Sequence, residues 1–549
     1  MADISPKNEA LEAQGSPRLD EKPGSSEVTT ENEKSWATRN GLTLESFTAH
    51  EDHGKGSVEL ERRMKPRHLN MIAIGGSIGA GFFVGSGAAL QTGGPGSVLI
   101  GFLIMGVMMF NVVYALGELA VMYPVSGGFY TYANRFVDPS WGFAMGWNYV
   151  MQWAFVLPLE LTVFLVVIIL INVFGTLGYA EEEFWASLLK LSATLIFMIV
   201  AIVLVCGGGP SDGLYHEYWG ARLWYDPGAF QHGFRGFCGV FVTAAFSFSG
   251  TELVGLAAAE AKNPAKALPG AIKQVFWRIT LFYVVGLLLV GLLVDSTDKR
   301  LLNAGSDDPS ASPFVIAVAN AGLKGYDSFM NVIILVSVLS IGVSCVYGGS
   351  RTLVALAQQG FAPKFFAYID KSGRPLPSVA LIILMGFLGY LSVDGNGGTV
   401  FTWLQALSGL AALFTWGSIC LCHIRFRHAW KYHGHSLDEI PFKAIFGVWG
   451  SYIGLGLNII VLIAQFYTAI TNLDGSVGDA ESFFESYLAF PVVILFYVGG
   501  YIWKRQGWLK LSEIDLDTGL REHDWDSINA YRREMAAAPA WKRVLHAMF

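Results

Sequence analysis

The sequence predicts an all-α protein that crosses a membrane many times, and three observations carry that prediction. Only 15% of its 549 residues are charged and 53% are hydrophobic, whereas about a quarter of a soluble chain is charged. Apolar runs of membrane-helix length recur from residue 71 to residue 503. Lysine and arginine gather in particular connections between those runs, as the positive-inside rule requires. The 63 glycines fit the same reading, because glycine is commoner in membrane helices than in soluble ones. The net charge of -7 sits mostly in tails and loops, and no basic stripe suggests nucleic acid.

The elements follow in order. Residues 1–60 are polar, with scattered Pro, Gly and Ser, and bury too little to fold alone. They read as a disordered tail that extends to residue 68. The first apolar run starts near Asn70, a placement that argues against a cleaved signal peptide. A membrane helix needs roughly 20 apolar residues. Candidates lie at about 71–90, 98–122, 143–174, 185–206, 237–259, 277–295, 329–357, 379–394, 399–423, 446–470 and 486–503. They define a membrane domain over 69–505, followed by a polar tail, 506–549. Cys206, Cys238, Cys345, Cys420 and Cys422 lie in or beside apolar stretches and read as packing residues.

Orientation comes from the basic residues. Arg62, Arg63, Lys65 and Arg67 precede the first run. Lys262, Lys266, Lys273 and Arg278 follow 237–259; Arg351, Lys364, Lys371 and Arg374 follow 329–357; Arg425, Arg427 and Lys431 follow 399–423. Both tails and these loops are therefore expected in the cytoplasm. The count fails at one place. Arg135 and the 262–278 loop both read as cytoplasmic, and the 185–206 and 237–259 runs cancel. The 143–174 run must then cross an even number of times. Its 32 residues give about 48 Å of helix, too long for one ordinary span and too short for two.

Two runs contain interruptions that invite chemistry. The first carries Gly75-Gly76-Ser77-Ile78-Gly79-Ala80-Gly81. Unwound backbone at membrane depth is tolerated only around a polar cavity, and amides at the start of a half-helix suit a carboxylate. Close packing of small residues against a neighbouring helix accounts for the glycines equally well. The 237–259 run carries Phe246-Ser247-Phe248-Ser249-Gly250-Thr251-Glu252, a polar break ending in an acid. Interrupted spans in corresponding positions of two halves point to a midplane site. Amides from one break and carbonyls from the other would hold a zwitterion.

Other charges within the runs are Glu118, Glu160 and Lys190. An acid or base in hydrocarbon needs a partner, a proton or a cavity. Glu160 and Lys190 read as coupling residues, against an ion pair or snorkelling as the plain alternative; Glu118 reads as structural. His433-Gly434-His435 lacks the further ligands of a metal site. The sequence shows no phosphate loop and no catalytic constellation, so neither enzyme chemistry nor a cofactor is expected.

At these motifs the chain resembles the fungal amino acid permeases of the amino acid–polyamine–organocation superfamily, especially the general amino acid permeases. The matching segments include GGSIGAGFFVGSG, LGELAVMYPVSGGFYTYANRFVDPSWGFAMGWNY, QWAFVLPLEL, FSFSGTELVGLAAAEAKNPAKALP and SRTLVALAQQGFAPKFFAYIDKSGRPLP. The resemblance covers about residues 60–530. It implies twelve helices, the first ten forming two five-helix repeats of opposite topology in the leucine-transporter-like fold. It places the substrate carboxylate at the amides of Gly79, Ala80 and Gly81. The amino group meets carbonyls near Ser77 and Ile78 and near Phe246, Ser249 and Gly250. Phe246 matches an external gating aromatic. Lys190 matches a lysine standing where sodium binds in sodium-coupled relatives, which fits proton coupling. Glu160 and Glu252 match acids implicated in transport.

The chain departs from that pattern in three ways. Ala80 replaces a common Thr or Ser, and Val343 a common Asn. The larger departure follows Leu161, where Thr162-Val163 runs directly into Phe164-Leu165-Val166 and roughly twenty residues are absent relative to the family. A gene-model or splicing error is the leading explanation; a real deletion would impair folding or transport. The reading is a plasma-membrane proton symporter importing broad, mainly neutral L-amino acids, with both termini cytoplasmic. The alternatives are an amino acid sensor, or a permease specific for basic or acidic substrates. Expected partners are the amino acid, protons and membrane lipids, with Lys7, Lys22 and Lys34 of the tail as acceptors for ubiquitin-ligase machinery.

Overall fold

A computed structural model describes residues 42–49, 64–76, 78–125, 127–159, 165–261, 264–303, 312–393, 397–471, 476–478, 480–521, 525–539 and 541–542. Helix is the only regular structure among them, apart from isolated bridges. Among the described residues, seven helices are long and apolar enough to cross a membrane, and two shorter apolar helices accompany them.

The first span is two helices. α1 (Pro66–Gly75) opens on a proline, whose fixed φ suits a helix start, and closes at the paired glycines. α2 (Gly81–Met122) begins with a π-helical turn and runs on for 42 residues. It bends sharply at Gly94, where φ is 78°. Only glycine accepts that conformation readily, and the following Pro95 has no N–H to bond. Gly96 N–H instead reaches Ala229 O across the bend, at 2.7 Å. The bend separates the outer half of the first span from the second span.

α3 (Phe129–Phe136) is a short helix before α4 (Pro139–Leu159). α5 (Leu165–Val173) and α6 (Gly175–Val205) follow. The sixth span is again two helices, α7 (Gly233–Phe248) and α8 (Leu253–Ala258). α9 (Ala267–Leu293) contains a π-helical stretch over Arg278–Gly286. α10 (Pro313–Asn320) lies over α2, with Phe314 packed on both Phe82 and Phe83. α11 (Tyr326–Gln358), α12 (Leu376–Gly386), α13 (Gly397–Tyr432), α14 (Gly447–Ile470), α15 (Ala480–Tyr487) and α16 (Ala489–Lys504) complete the membrane part.

The 143–174 run, where the charge count fails, is occupied by α4 and α5. α5 has nine residues, about 13 Å of helix, against a hydrocarbon thickness of about 30 Å. Val173 O accepts a 2.7 Å bond from Arg374, in a basic connection. At the other end, Leu165 packs on Gly386 beside Leu157 of α4, and Pro158 packs on Gly389. The two helices thus meet at the end of α12, and α5 runs from there to the connection that carries Arg374. α4 has 21 residues, about 31 Å of helix, so the shortfall within the 143–174 run falls on α5. The outer part of α11 is correspondingly bare: Phe329, Val332 and Leu335 are exposed, while nearly every residue from Ser340 to Ala357 is buried. The junction at 160–164 itself, with Glu160, lies outside the described residues.

Two readings of loops and tails change. Arg278 and Arg351 are buried inside the helix bundle rather than lying in cytoplasmic loops, because both have polar partners there that the linear pattern does not reveal. The first tail is not wholly unstructured. Leu44–Phe47 forms a turn, Arg374 stacks on Phe47 at 4.0 Å, and Lys371 N–H donates to Thr48 O at 3.0 Å. Lys7, Lys22 and Lys34 lie outside the described residues. The start of the second tail also docks. Leu509 N–H bonds Val137 O at 2.9 Å, Tyr123 Oη donates to Leu516 O at 2.8 Å, and Arg425 bridges Phe136 O and Leu509 O. Hydrogen bonds from the Thr518 hydroxyl and amide hold the Asp515 carboxyl below its usual range, so the turn that ends this strap carries an ionised acid.

Candidate functional site

The two interrupted spans meet at their interruptions. α1 stops at Gly75–Gly76, and helical bonding resumes with Phe82 and Phe83 N–H both donating to Gly79 O, at 3.1 and 3.0 Å. Gly79, Ala80 and Gly81 therefore occupy the opening turn of a half-helix, where amides have no partner from their own helix. α7 stops at Phe248, Ser249 is extended, and Gly250 turns with φ 92°. Thr251 and Leu253 N–H close that turn onto Phe248 O and Gly250 O. Ser247 Oγ donates to Gly81 O at 2.6 Å and so ties one interruption to the other.

Between them is a cavity of about 20 Å³, lined by Gly79, Ala80, Gly81, Trp153, Val156, Phe246, Ser249 and Ile341. That is room for about one water, so the site is closed down. Gln152 Nε2 donates to Ser249 Oγ at 2.8 Å and fixes the second break against α4. The amides at the opening of α2 suit an anionic group. The remaining walls are aromatic and aliphatic.

Charged groups surround the cavity without lining it. Glu252 is fully buried and accepts from Trp416 Nε1 at 3.0 Å and Tyr149 Oη at 3.3 Å. Lys190 is also fully buried; it donates to Gly75 O at 3.0 Å and Ser340 Oγ at 3.1 Å, with Glu183 Oε1 3.5 Å away. Its ammonium occupies a cation site built from a helix-terminal carbonyl, a hydroxyl and a carboxylate. Arg278 donates to Ala73 O at 2.7 Å and to Thr251 Oγ1 at 2.5 Å, joining α1 to the second break.

One side of the bundle is sealed by a buried polar layer. Arg351 Nε meets Glu260 Oε1 at 3.2 Å, Thr176 Oγ1 donates to Glu260 Oε2 at 2.6 Å, and Tyr347 Oη donates to Glu260 Oε1 at 3.1 Å. Met64 N–H bonds Glu260 O at 3.1 Å, so the chain entering α1 belongs to the same seal. Glu118 lies elsewhere. It is buried against Arg427 at 2.5 Å and His423 at 3.1 Å, and it accepts Ala444 N–H at 2.7 Å, an ion-pair cluster holding α2 to α13.

Comparison with known proteins adds identity to this geometry. The amino acid permease family profile matches residues 68–513. The chain belongs to the amino acid permease family. It is 67% identical to amino-acid permease inda1 of Hypocrea atroviridis, over 94% of this chain and 94% of that protein. It is 50% identical to the general amino-acid permease GAP1 of Saccharomyces cerevisiae, over 88% and 85%. It is 52% identical to the general amino-acid permease GAP2 of Candida albicans, over 89% and 87%. This permease is thus a multi-pass membrane transporter of amino acids and not an enzyme.

Of the sequence-derived candidates, Gly79, Ala80, Gly81, Phe246 and Ser249 line the permease's central cavity. Ile78 and Gly250 are buried behind it and shape the breaks. Lys190 and Glu252 stand one layer away. Ser77 and Glu160 lie outside the described residues. Sequence reasoning missed Trp153, Val156 and Ile341 as walls, and Gln152, Glu183, Glu260 and Arg351 as supports. The Glu181-Glu182-Glu183 run, next to an apolar stretch, was a signal available for one of them.

Proposed function

We propose that this permease is a proton symporter that imports a broad set of mainly neutral L-amino acids across the plasma membrane, with both tails in the cytoplasm. The carrying observation is the meeting of the two interruptions, with an occupied cation site beside them. Carboxylate recognition falls to the amides of Gly79, Ala80 and Gly81, and amino-group recognition to carbonyls around Phe246 and Ser249. The cavity walls contributed by Trp153, Val156, Phe246 and Ile341 are apolar, and among the described residues none that lines it carries a charge. A charged substrate side chain would stay unpaired there, a costly burial; a neutral one would not. Lys190 donates to Gly75 O, a cation already in place at the end of α1, which supports a proton rather than sodium as the coupling ion. The general amino-acid permeases among its relatives agree in substrate breadth with this reading.

Transport follows from what closes the site. α1 and the Glu260–Arg351 layer seal one side, while α10 and Phe82–Phe83 cover the other. Substrate would bind where the two breaks face each other, and its charged ends would replace bonds the breaks make with each other. Release requires α1 and α8 to leave the seal. Labelled amino acid uptake in a permease-deficient yeast tests the function, with a competition panel of all twenty amino acids. Uptake driven by an inward proton gradient and indifferent to sodium is expected. Binding without accumulation would favour a sensor, and dependence on sodium would sink the Lys190 argument.

A further inference from the structure

We infer that Arg278 is a positioning residue for transport: it yokes the free end of α1 to the turn of the second interruption, so that α1 and α8 leave the seal as one body. The inference rests on the transport reading above and names the residue that joins its two moving parts. Arg278 is fully buried in the π-helical stretch of α9. One of its nitrogens donates to Ala73 O at 2.7 Å and another to Thr251 Oγ1 at 2.5 Å. Ala73 O is among the last four carbonyls of α1, which a helix leaves without partners of its own and which form the negative end of its dipole. Thr251 Oγ1 in turn donates to Phe248 O at 2.6 Å, the carbonyl on which the second interruption folds back. The guanidinium makes no ion pair with a carboxylate among the described residues, and its Nε–H has no partner among them. Its two hydrogen bonds therefore both go to the interrupted spans.

The winding of α9 makes this reach possible. Residues five apart in an α-helix are turned by about 500° and face different ways, whereas a π-helical stretch bonds residue i to residue i+5 and brings such residues toward one face. Arg278 and Tyr283 are five apart in that stretch. Tyr283 Oη donates to Ser247 O at 2.6 Å, and its ring stacks on Phe248 at 4.3 Å. One stretch of α9 thus holds the end of α7 through Tyr283, and α1 with the second interruption through Arg278. The far ends of α1 and α8 are tied as well. Met64 N–H bonds Glu260 O at 3.1 Å, and Met64 and Ala261 form a bridge. With that tie alone, the two half-helices could splay at their interrupted ends, like arms on a hinge. The tie at Arg278 closes the other end. The residue type fits the task. A guanidinium stays charged and presents its donors in a rigid planar fork, so it holds two acceptors at a fixed separation; a lysine ammonium is a point charge on a flexible stem.

The test uses the full chain in permease-deficient yeast, with labelled leucine as the probe. Arg278→Lys keeps the charge but holds one acceptor at a time. It should lower the maximal uptake rate, at equal surface level, about tenfold, the contribution of one hydrogen bond to a charged group. The half-saturating leucine concentration should stay nearly unchanged, because the residues lining the cavity are untouched. Two reporters read the yoke itself: Leu69→Cys on α1 and Leu256→Cys on α8, both at buried positions. In inside-out vesicles, with the labelling of the chain lacking the added cysteine subtracted, a membrane-impermeant maleimide should reach the two in parallel as leucine is added. With Arg278→Lys the responses should part, Leu69→Cys labelling about tenfold faster and Leu256→Cys at its former rate. Thr251→Val, which removes the acceptor on the second interruption, should part them in the same way. A merely structural role would change both rates by one factor, and that result would overturn the inference. Should Arg278→Lys fail to reach the membrane, parallel labelling in Thr251→Val would overturn it alone. Parallel labelling in a chain that takes up leucine sinks the yoke and leaves the transport reading standing; an unaltered chain that takes up none sinks both.

Discussion

Glu260→Gln should open the permease toward the cytoplasm. In the closed arrangement Arg351 is 3% exposed and has the Glu260 carboxylate, the Thr176 hydroxyl and the face of Tyr347 around it. The amide keeps the shape and one acceptor but removes the counter-charge. Removing one partner of a buried ion pair costs about 3–5 kcal/mol. Water reaching Arg351 in the open arrangement relieves most of that, so the change falls on the closed state. Taking 3 kcal/mol, the closed-to-open ratio drops by about 150-fold. A cysteine at Ser344, buried just beyond the Arg351 layer beside Tyr179, reports the change. In inside-out vesicles, a membrane-impermeant maleimide should label Ser344→Cys at least tenfold faster when Glu260→Gln is added. Adding Arg351→Gln removes the stranded charge and should slow labelling again. Equal labelling rates with and without Glu260→Gln, at equal protein levels, would refute the assignment of this layer as the cytoplasmic seal.

Three further outcomes are expected. Gly81→Ala places a Cβ 2.9 Å from both the Phe246 ring and Ser247 Cα; backbone cannot yield as a side chain can, so the breaks separate, at about 1–3 kcal/mol, and uptake should fall at least tenfold with surface level unchanged. Grafting the corresponding residues of the 67% identical relative after Leu161 should extend α4 and α5, cover Phe329, Val332 and Leu335, and raise both membrane yield and uptake; no change in either would show the short excursion to be self-sufficient. Arg425→Ala removes the bonds to Phe136 O and Leu509 O, and limited trypsin digestion should then cut the 506–521 strap several times faster than in the unaltered chain.

The membrane character, the span positions and the two interruptions were legible in the sequence because each is a local property. Glycine clusters and apolar runs announce themselves within a window of about twenty residues. So did the anomaly at 143–174, since charge parity is counted along the chain; its form, a 21-residue α4 followed by a nine-residue α5, was not legible. Trp153, Val156 and Ile341 were invisible as cavity walls because an aromatic or aliphatic residue in an apolar helix looks the same whether it faces lipid, core or site. Arg278 and Arg351 were misplaced for a related reason. An arginine near a span end reads as cytoplasmic unless a buried acceptor is known, and their acceptors, Ala73 O and Glu260, lie 205 and 91 residues away.

By itself, then, the sequence determined what must be inside a membrane and where the backbone must break, because hydrocarbon tolerates neither scattered charge nor unpaired peptide groups. Only the tertiary structure decided which charges find each other. Glu183 joins Lys190 and Ser340, Glu260 joins Arg351 and Thr176, and Glu118 joins Arg427 and His423. The physical reason is that a buried charge is stabilised by partners a few ångströms away in space, and most of those partners come from other helices, at separations that no pattern along the chain records.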